Sequence, residues 1–391
     1  MSIAPEDQLL CAADEAAAPT TVAESQPAVP PIVQTSLFSF PSFAALVDAL
    51  SAEHRHHVYT RGRNPTVEAV ERKVAALERG EACTCFGSGM AAISAVMLGV
   101  LRMGDHILFV NQVYGPTLQL AAHLQRFGIE HDVLLELDAA AVAAAIRPNT
   151  RLVWLESPGT MLFRVLDVEA VAAIAHARGV LTCLDNSWAT PLYQKPLEYG
   201  VDIVVHTASK YLAGHSDVMA GAVISSAARM EELFYRAYLL NGGVLSPFDA
   251  WLLLRGLRTL PVRMRQHERD GLRVAEFLRT HRAVRCVHHP AFAADRVLVE
   301  RQLRGFAGVF SFELADASYE NVSRVIDGLR RFRIAVSWGG VESIVISPER
   351  DADGTRLLER GLPRGLIRIS VGLEGADVLI DDLGRALDAT A

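Results

Sequence analysis

The chain has 391 residues, half of them hydrophobic, with 38 basic and 45 acidic side chains and a formal charge of −7. No apolar run approaches the ~18 residues that cross a bilayer, and no Lys/Arg block interleaves with aromatics, so neither membrane nor nucleic acid is an expected partner. Five cysteines (Cys11, Cys83, Cys85, Cys183, Cys286), irregularly spaced and without a C-x-x-C, make no disulfide framework and fit a reducing cytoplasm.

Residues 1–30 are rich in Ala, Pro and Thr, carry five carboxylates, and precede the first basic residue, Arg55. Signal and transit peptides need early positive charge, so the segment reads as a disordered acidic leader. Residues 31–60 read as an extended arm. Within it His54, His56 and His57 lack further ligands at metal spacing and read as an exposed loop. Asn64 then caps a helix whose first residue is Pro65, with Val67, Val70, Val74 and Leu77 at helical spacing and Gly80 as its stop.

Cys83 and Cys85 share one face of an expected strand and read as small buried residues. Gly87-Ser88-Gly89-Met90 opens into an apolar helix, where the N–H groups of Gly89 and Met90 form a candidate phosphate cradle. A strand over His106–Val110, a helix ending before Gly128, a strand over Arg151–Glu156 and a helix over Asp167–Arg178 follow. This alternation predicts an α/β fold with a mostly parallel sheet covered on both faces.

Two short apolar runs, Gly179–Leu184 and Val201–Val205, then lead into Asp185-Asn186-Ser187 and Thr207-Ala208-Ser209-Lys210. Ligands of open α/β sheets lie at the carboxyl ends of strands. An acid and a lysine there suggest pyridoxal 5′-phosphate (PLP), the lysine as its attachment point and the acid as partner of the pyridinium nitrogen. A surface lysine after a strand and a helix-capping aspartate would give the same pattern. Beyond Ser246 the chain is helix-rich, with a break at Pro261 and a basic run from Arg255 to Arg269 that reads as a solvated face. Strands around Val309–Leu314, Ala335–Trp338 and Leu366–Val371 then suggest a smaller α+β unit.

Tyr59-Thr-Arg61, Gly87-Ser-Gly-Met90, Val113-Tyr-Gly-Pro-Thr117, Asp185-Asn-Ser-Trp188, Ser209-Lys-Tyr-Leu-Ala-Gly-His-Ser-Asp217 and Arg368-Ile-Ser-Val-Gly-Leu-Glu374 occur in that order. Together they resemble the cysteine and methionine metabolism branch of the fold-type I PLP-dependent enzymes, from about Pro30 to about Leu387. The resemblance implies a fold-type I transferase architecture. A large PLP-binding domain (61–250) would hold a mostly parallel seven-stranded sheet sandwiched by helices, and a smaller α+β domain (251–391) would follow. The arm, 31–60, would contact a neighbouring subunit.

The same resemblance implies roles. Lys210 would carry the cofactor and shuttle protons, Asp185 would pair with the ring nitrogen, and Tyr114 would stack on the ring. Gly89, Met90, Thr207 and Ser209 would hold the phosphate, joined by Tyr59 and Arg61 from the neighbouring subunit of a homodimer, itself doubled to a homotetramer. Arg368, with Ser337 and Trp338, would bind the substrate, the guanidinium fork matching an α-carboxylate. Trp188, Glu156-Ser-Pro-Gly-Thr160 and Ser337-Trp-Gly-Gly-Val-Glu-Ser343 look most like bacterial cystathionine β-lyases. The expected reaction is cleavage of cystathionine, or a related S-substituted cysteine, to a thiol, pyruvate and ammonia. A cystathionine γ-synthase or O-acyl-homoserine sulfhydrylase is the alternative, followed by a methionine or cystathionine γ-lyase.

Overall fold

The computed structural model describes residues 27–350 and 354–389. Strands β1 (Ala82–Phe86), β2 (His106–Val110), β3 (Glu130–Leu134), β4 (Thr150–Leu155), β5 (Leu181–Asp185), β6 (Ile203–His206) and β7 (Gly221–Ser225) build a seven-stranded sheet. Its order is β1-β7-β6-β5-β4-β2-β3. β7 runs antiparallel to both its neighbours, and the other pairings are parallel.

The middle strands are unbroken apolar runs because both faces of the sheet are covered. Ile107 and Phe109 of β2 join one buried cluster with Trp154 and Cys183, while Leu108 and Val110 join the other with Val153, Leu155 and Leu184. The period of two thus divides the side chains of inner strands such as β2, β4 and β5 between two cores. The helix Pro65–Glu78 covers one face, its Asn64 cap accepting from the Thr66 N–H at 2.9 Å. The helix Gly89–Val100 contributes Ala92, Ile93 and Val96 to the other.

A second sheet contains β8 (Val284–His288), β9 (Val309–Leu314), β10 (Arg333–Ile334), β11 (Ile344–Ile346) and β12 (Leu366–Ser370), in the order β10-β11-β12-β9-β8. Only β10 and β11 pair in parallel. Phe310, Phe312 and Leu314 bury one side of β9 in a cluster with Leu379 and Leu383 of the C-terminal helix Ala376–Asp388. No helix among the described residues is long and apolar enough to cross a membrane.

Several expectations need correction. The helix from Pro65 ends on Arg79, which takes the left-handed conformation at φ 63°, one residue before Gly80. Ala335–Trp338 is not a strand: the ladder stops after Ile334, and Ser337 (φ 93°) and Gly339 (φ 86°) turn the chain inward. The break near Pro261 falls at Thr259, and Pro261 is the second residue of the helix Leu260–Thr280, where its missing N–H is harmless.

The basic run is not wholly solvated either. Arg263 is buried, and its guanidinium donates to the carbonyls of Tyr211 and Gly256, both at 2.8 Å. His54 lies half-buried with Nδ1 2.9 Å from the Tyr235 hydroxyl, not in an open loop, and forms no metal cluster among the described residues. Cys83 and Cys85 are buried free thiols, as their spacing suggested. The leader reading falls on residues 1–26, outside the described residues, apart from its last four positions.

Candidate active site

The parallel neighbours β4, β5 and β6 end side by side, and their carboxyl ends deliver Glu156, Asp185 and Thr207 to one edge of the sheet. Asp185 is the last residue of β5. Its Oδ1 accepts from the Ser187 N–H at 3.0 Å and the Ser187 hydroxyl at 2.5 Å, while Oδ2 has no donor among the described residues. Burial pushes the carboxyl's pKa up, and the Ser187 bonds and the fields of His206 and Lys210 oppose that rise. A buried carboxylate with one oxygen free fits a cationic N–H donor such as the PLP pyridinium.

Ser187 ties the two strand ends together. Its hydroxyl oxygen also accepts from the Thr207 N–H at 2.6 Å, so Asp185 and the loop after β6 are held by a single side chain. Thr207 in turn closes against the turn after β1: a Cβ at Gly89 would collide with the Thr207 side chain. Ser88 caps the helix Gly89–Val100 by accepting from the Ala91 N–H at 3.0 Å. The N–H groups of Gly89 and Met90 remain without a protein partner among the described residues. A helix N-terminus with free N–H groups is suited to a phosphate. Ser209 is committed differently, its hydroxyl accepting from the Ala220 N–H at 2.8 Å and donating to the Ala220 carbonyl at 3.2 Å.

Lys210 follows in the same loop. Its ammonium donates to the Ser337 hydroxyl at 2.6 Å and lies 5.5 Å from the centroid of the Trp338 ring. Burial, reinforced by the Arg368 charge and opposed by Asp185, pulls its pKa down to about 8. An amine so tuned is close to the free base that must attack an aldehyde. Trp338 packs at 5.3 Å against Tyr211, whose hydroxyl accepts from the Gly308 N–H at 3.0 Å. The turn that brings Ser337 and Trp338 here depends on Gly339, since a Cβ at its positive φ would strike the Lys210–Tyr211 backbone.

Arg368 projects from β12, donating to the Ser337 carbonyl at 3.3 Å. Burial brings its pKa down to about 10, partly offset by Tyr114, so the guanidinium stays charged at neutral pH. No carboxylate of the described residues pairs with it. That leaves the fork available for a substrate carboxylate. Tyr114 stands before the helix Gly115–Leu124, its backbone N–H fixed by Glu156 Oε1 at 2.7 Å. Glu156 is buried, and desolvation together with the Asp185 charge raises its pKa well above the ordinary carboxylate range.

The structure therefore gathers Lys210, Asp185, Tyr114, Arg368, Ser337 and Trp338 into one group, with Thr207 and the helix start at Gly89 and Met90 beside it. Tyr59 and Arg61 stand apart. Both are exposed, the Arg61 guanidinium lies 5.5 Å over the Tyr59 ring, and neither bonds to the group among the described residues. Trp188 is a buried packing residue whose indole N–H donates to the Val309 carbonyl at 3.0 Å. Sequence reasoning gave no role to Ser187 or to the Glu156 side chain. The Asp-x-Ser spacing, typical of a side chain bonding to the backbone two residues on, was the available signal for Ser187. Nothing local marked Glu156, whose partner lies 42 positions away.

Comparison with known proteins agrees with this geometry. Residues 15–388 match the family described as Cys/Met metabolism PLP-dependent enzyme. Cystathionine γ-lyase of Bacillus subtilis (strain 168) is 40% identical over 365 residues, covering 92% of this chain and 93% of that protein. Cystathionine β-lyase MetC of the same organism is 40% identical over 372 residues, 92% of each. The crystal structure of cystathionine γ-synthase from Xanthomonas oryzae pv. oryzae superposes with a TM-score of 0.90 at 34% identity, covering 100% of both chains. The chain belongs to the Cys/Met metabolism PLP-dependent enzymes, it has their fold-type I architecture, and PLP is its cofactor.

Proposed function

We propose that this family member is a carbon–sulfur β-lyase that cleaves cystathionine, or a related S-substituted cysteine, to a thiol, pyruvate and ammonia. The observation that carries the reading is the Lys210–Ser337–Trp338 arrangement. A lysine with its pKa drawn down to about 8 sits under an indole ring and on a hydroxyl, inside reach of the Arg368 field.

PLP, when bound, supplies an electron sink conjugated to the substrate Cα. Asp185 Oδ2 would keep the ring nitrogen protonated, and the N–H groups of Gly89 and Met90, with Thr207, would hold the phosphate. Tyr114 would cover one ring face, and Arg368 would fix the substrate α-carboxylate, with Ser337 at its side. Lys210 Nζ then takes the Cα proton. The Cβ–S bond would break with its electron pair passing to sulfur, Lys210 Nζ would hand the Cα proton to the departing thiol, and the three-carbon remainder would take up water to give pyruvate and ammonia. A positioned base of this kind is worth roughly 10²–10⁴-fold in rate. One proton removal suffices for β-elimination, whereas γ-chemistry needs a second at Cβ.

γ-Elimination is the second reading, supported by the B. subtilis cystathionine γ-lyase at the same 40% identity as the β-lyase MetC. The two differ in products from one substrate, so identifying the keto acid formed from L-cystathionine separates them. For the assembly, exposed Tyr59 and Arg61, apart from the Lys210 group, support a homodimer in which each subunit lends this pair to its neighbour's phosphate.

A further inference from the structure

β8 is the edge strand of the small sheet, and its pairing with β9 is irregular between Val284 and Cys286. At such a bulge two residues on one strand oppose one on its partner. Arg285 and Cys286 thus both reach Glu313, which pairs directly with Cys286. His288, two positions on, shares the face of Cys286, and its Nε2 lies 2.6 Å from Glu313 Oε1. Thiol, imidazole and carboxylate atoms all fall within 4.8 Å of one another.

We propose that Cys286, His288 and Glu313 form a binding site for one divalent cation of the zinc type, stapling the edge strand β8 to β9. The donor set, one sulfur, one imidazole nitrogen and one carboxylate oxygen, is that of a three-residue zinc site with a fourth position left for water. Ligands of a tetrahedral zinc lie roughly 3.3–3.8 Å apart, so side-chain rotations must open the 2.6 Å His288–Glu313 contact to admit an ion, with the Cys286 thiol already within 4.8 Å of both. Arg285 favours the arrangement rather than blocking it. Its Nε donates to Glu313 Oε2 at 2.7 Å, which orients the carboxylate and leaves Oε1 to exchange His288 for the metal. Cys286 is exposed, half-buried His288 and buried Glu313 lie behind it, and an ion can enter from solvent. The Cys286 thiol, its pKa raised by burial and by Glu313, loses its proton to solvent on coordination.

The test is cobalt(II) titration of metal-stripped holoenzyme. The proposal predicts one equivalent per chain, a thiolate-to-cobalt charge-transfer band in the near ultraviolet, and ligand-field bands in the red, away from the cofactor's absorption. Cys286→Ser should abolish the charge-transfer band, and Cys286→Ser and His288→Gln should each weaken binding by about 10–100-fold or more. Both should keep wild-type turnover. Absence of tight cobalt binding by the wild type overturns the proposal, as does an unchanged spectrum and affinity in Cys286→Ser.

Discussion

The Lys210 ammonium donates to the Ser337 hydroxyl across 127 positions of sequence, at 2.6 Å, and the serine that receives it holds a backbone φ of 93°. A non-glycine residue in that region costs about 1–3 kcal/mol, tolerated where the surroundings fix it for a function. Here the fixed turn places the Ser337 hydroxyl against Lys210, its carbonyl against Arg368, and the Trp338 ring beside Lys210.

Ser337→Gly separates strain from function. Glycine accepts the positive φ without penalty, so thermal stability should match or exceed wild type, while loss of the hydroxyl should raise KM and lower kcat/KM by about tenfold. Thermal melts beside steady-state kinetics check this. A stability loss together with unchanged kinetics would remove the functional reading of the hydroxyl.

The lowered pKa of Lys210 gives a signed pH dependence. In the proposed role of Lys210 the neutral amine is the form that would attack the cofactor aldehyde, and the charged form predominates below about pH 8. The rate at which apoenzyme takes up PLP should rise with pH and level off above about 8, rather than climbing toward the ordinary lysine value near 10.5. Stopped-flow absorbance across this range measures it. Lys210→Ala should abolish turnover by at least about 10²-fold while circular dichroism shows the fold intact.

Ser187→Ala removes one hydroxyl that serves both Asp185 and the Thr207 N–H. The two strand ends lose their tie, and the proton affinity of Asp185 rises further, so it pairs less well with a ring cation. PLP affinity should fall by about tenfold, read by equilibrium dialysis, with a smaller change in substrate KM.

Exposed Tyr59 and Arg61 lead to a complementation experiment. Arg61→Ala should weaken PLP retention, and subunits mixed with Lys210→Ala should regain activity through sites built from one intact half of each. Mixtures no more active than their parents would refute shared sites.

Much of the large sheet was legible in the sequence because inner strands such as β2, β5 and β6 are short, largely apolar runs followed by polar residues, whereas the polar edge strand β3, Glu130–Leu134, carries no such signal. His106–Val110 and Val309–Leu314 match the observed strands residue for residue. The pairing of Asp185 with Lys210 in one crevice followed from strand-end placement alone. What failed was whatever depended on tertiary override. Ala335–Trp338 has β-compatible residues but is turned inward by Ser337 and Gly339, and Arg263 lies in a basic run yet is buried because two backbone carbonyls need its donors. The Cys286–His288–Glu313 group was hidden because a bulge and a cross-strand register, neither visible in one strand's sequence, bring it together.

Product identification tests the central claim most directly: PLP-loaded protein is incubated with L-cystathionine and the keto acid and thiol are identified by mass spectrometry. The β-lyase account predicts pyruvate with homocysteine in equal amounts. 2-Oxobutyrate with cysteine would contradict it and establish γ-elimination from the same site.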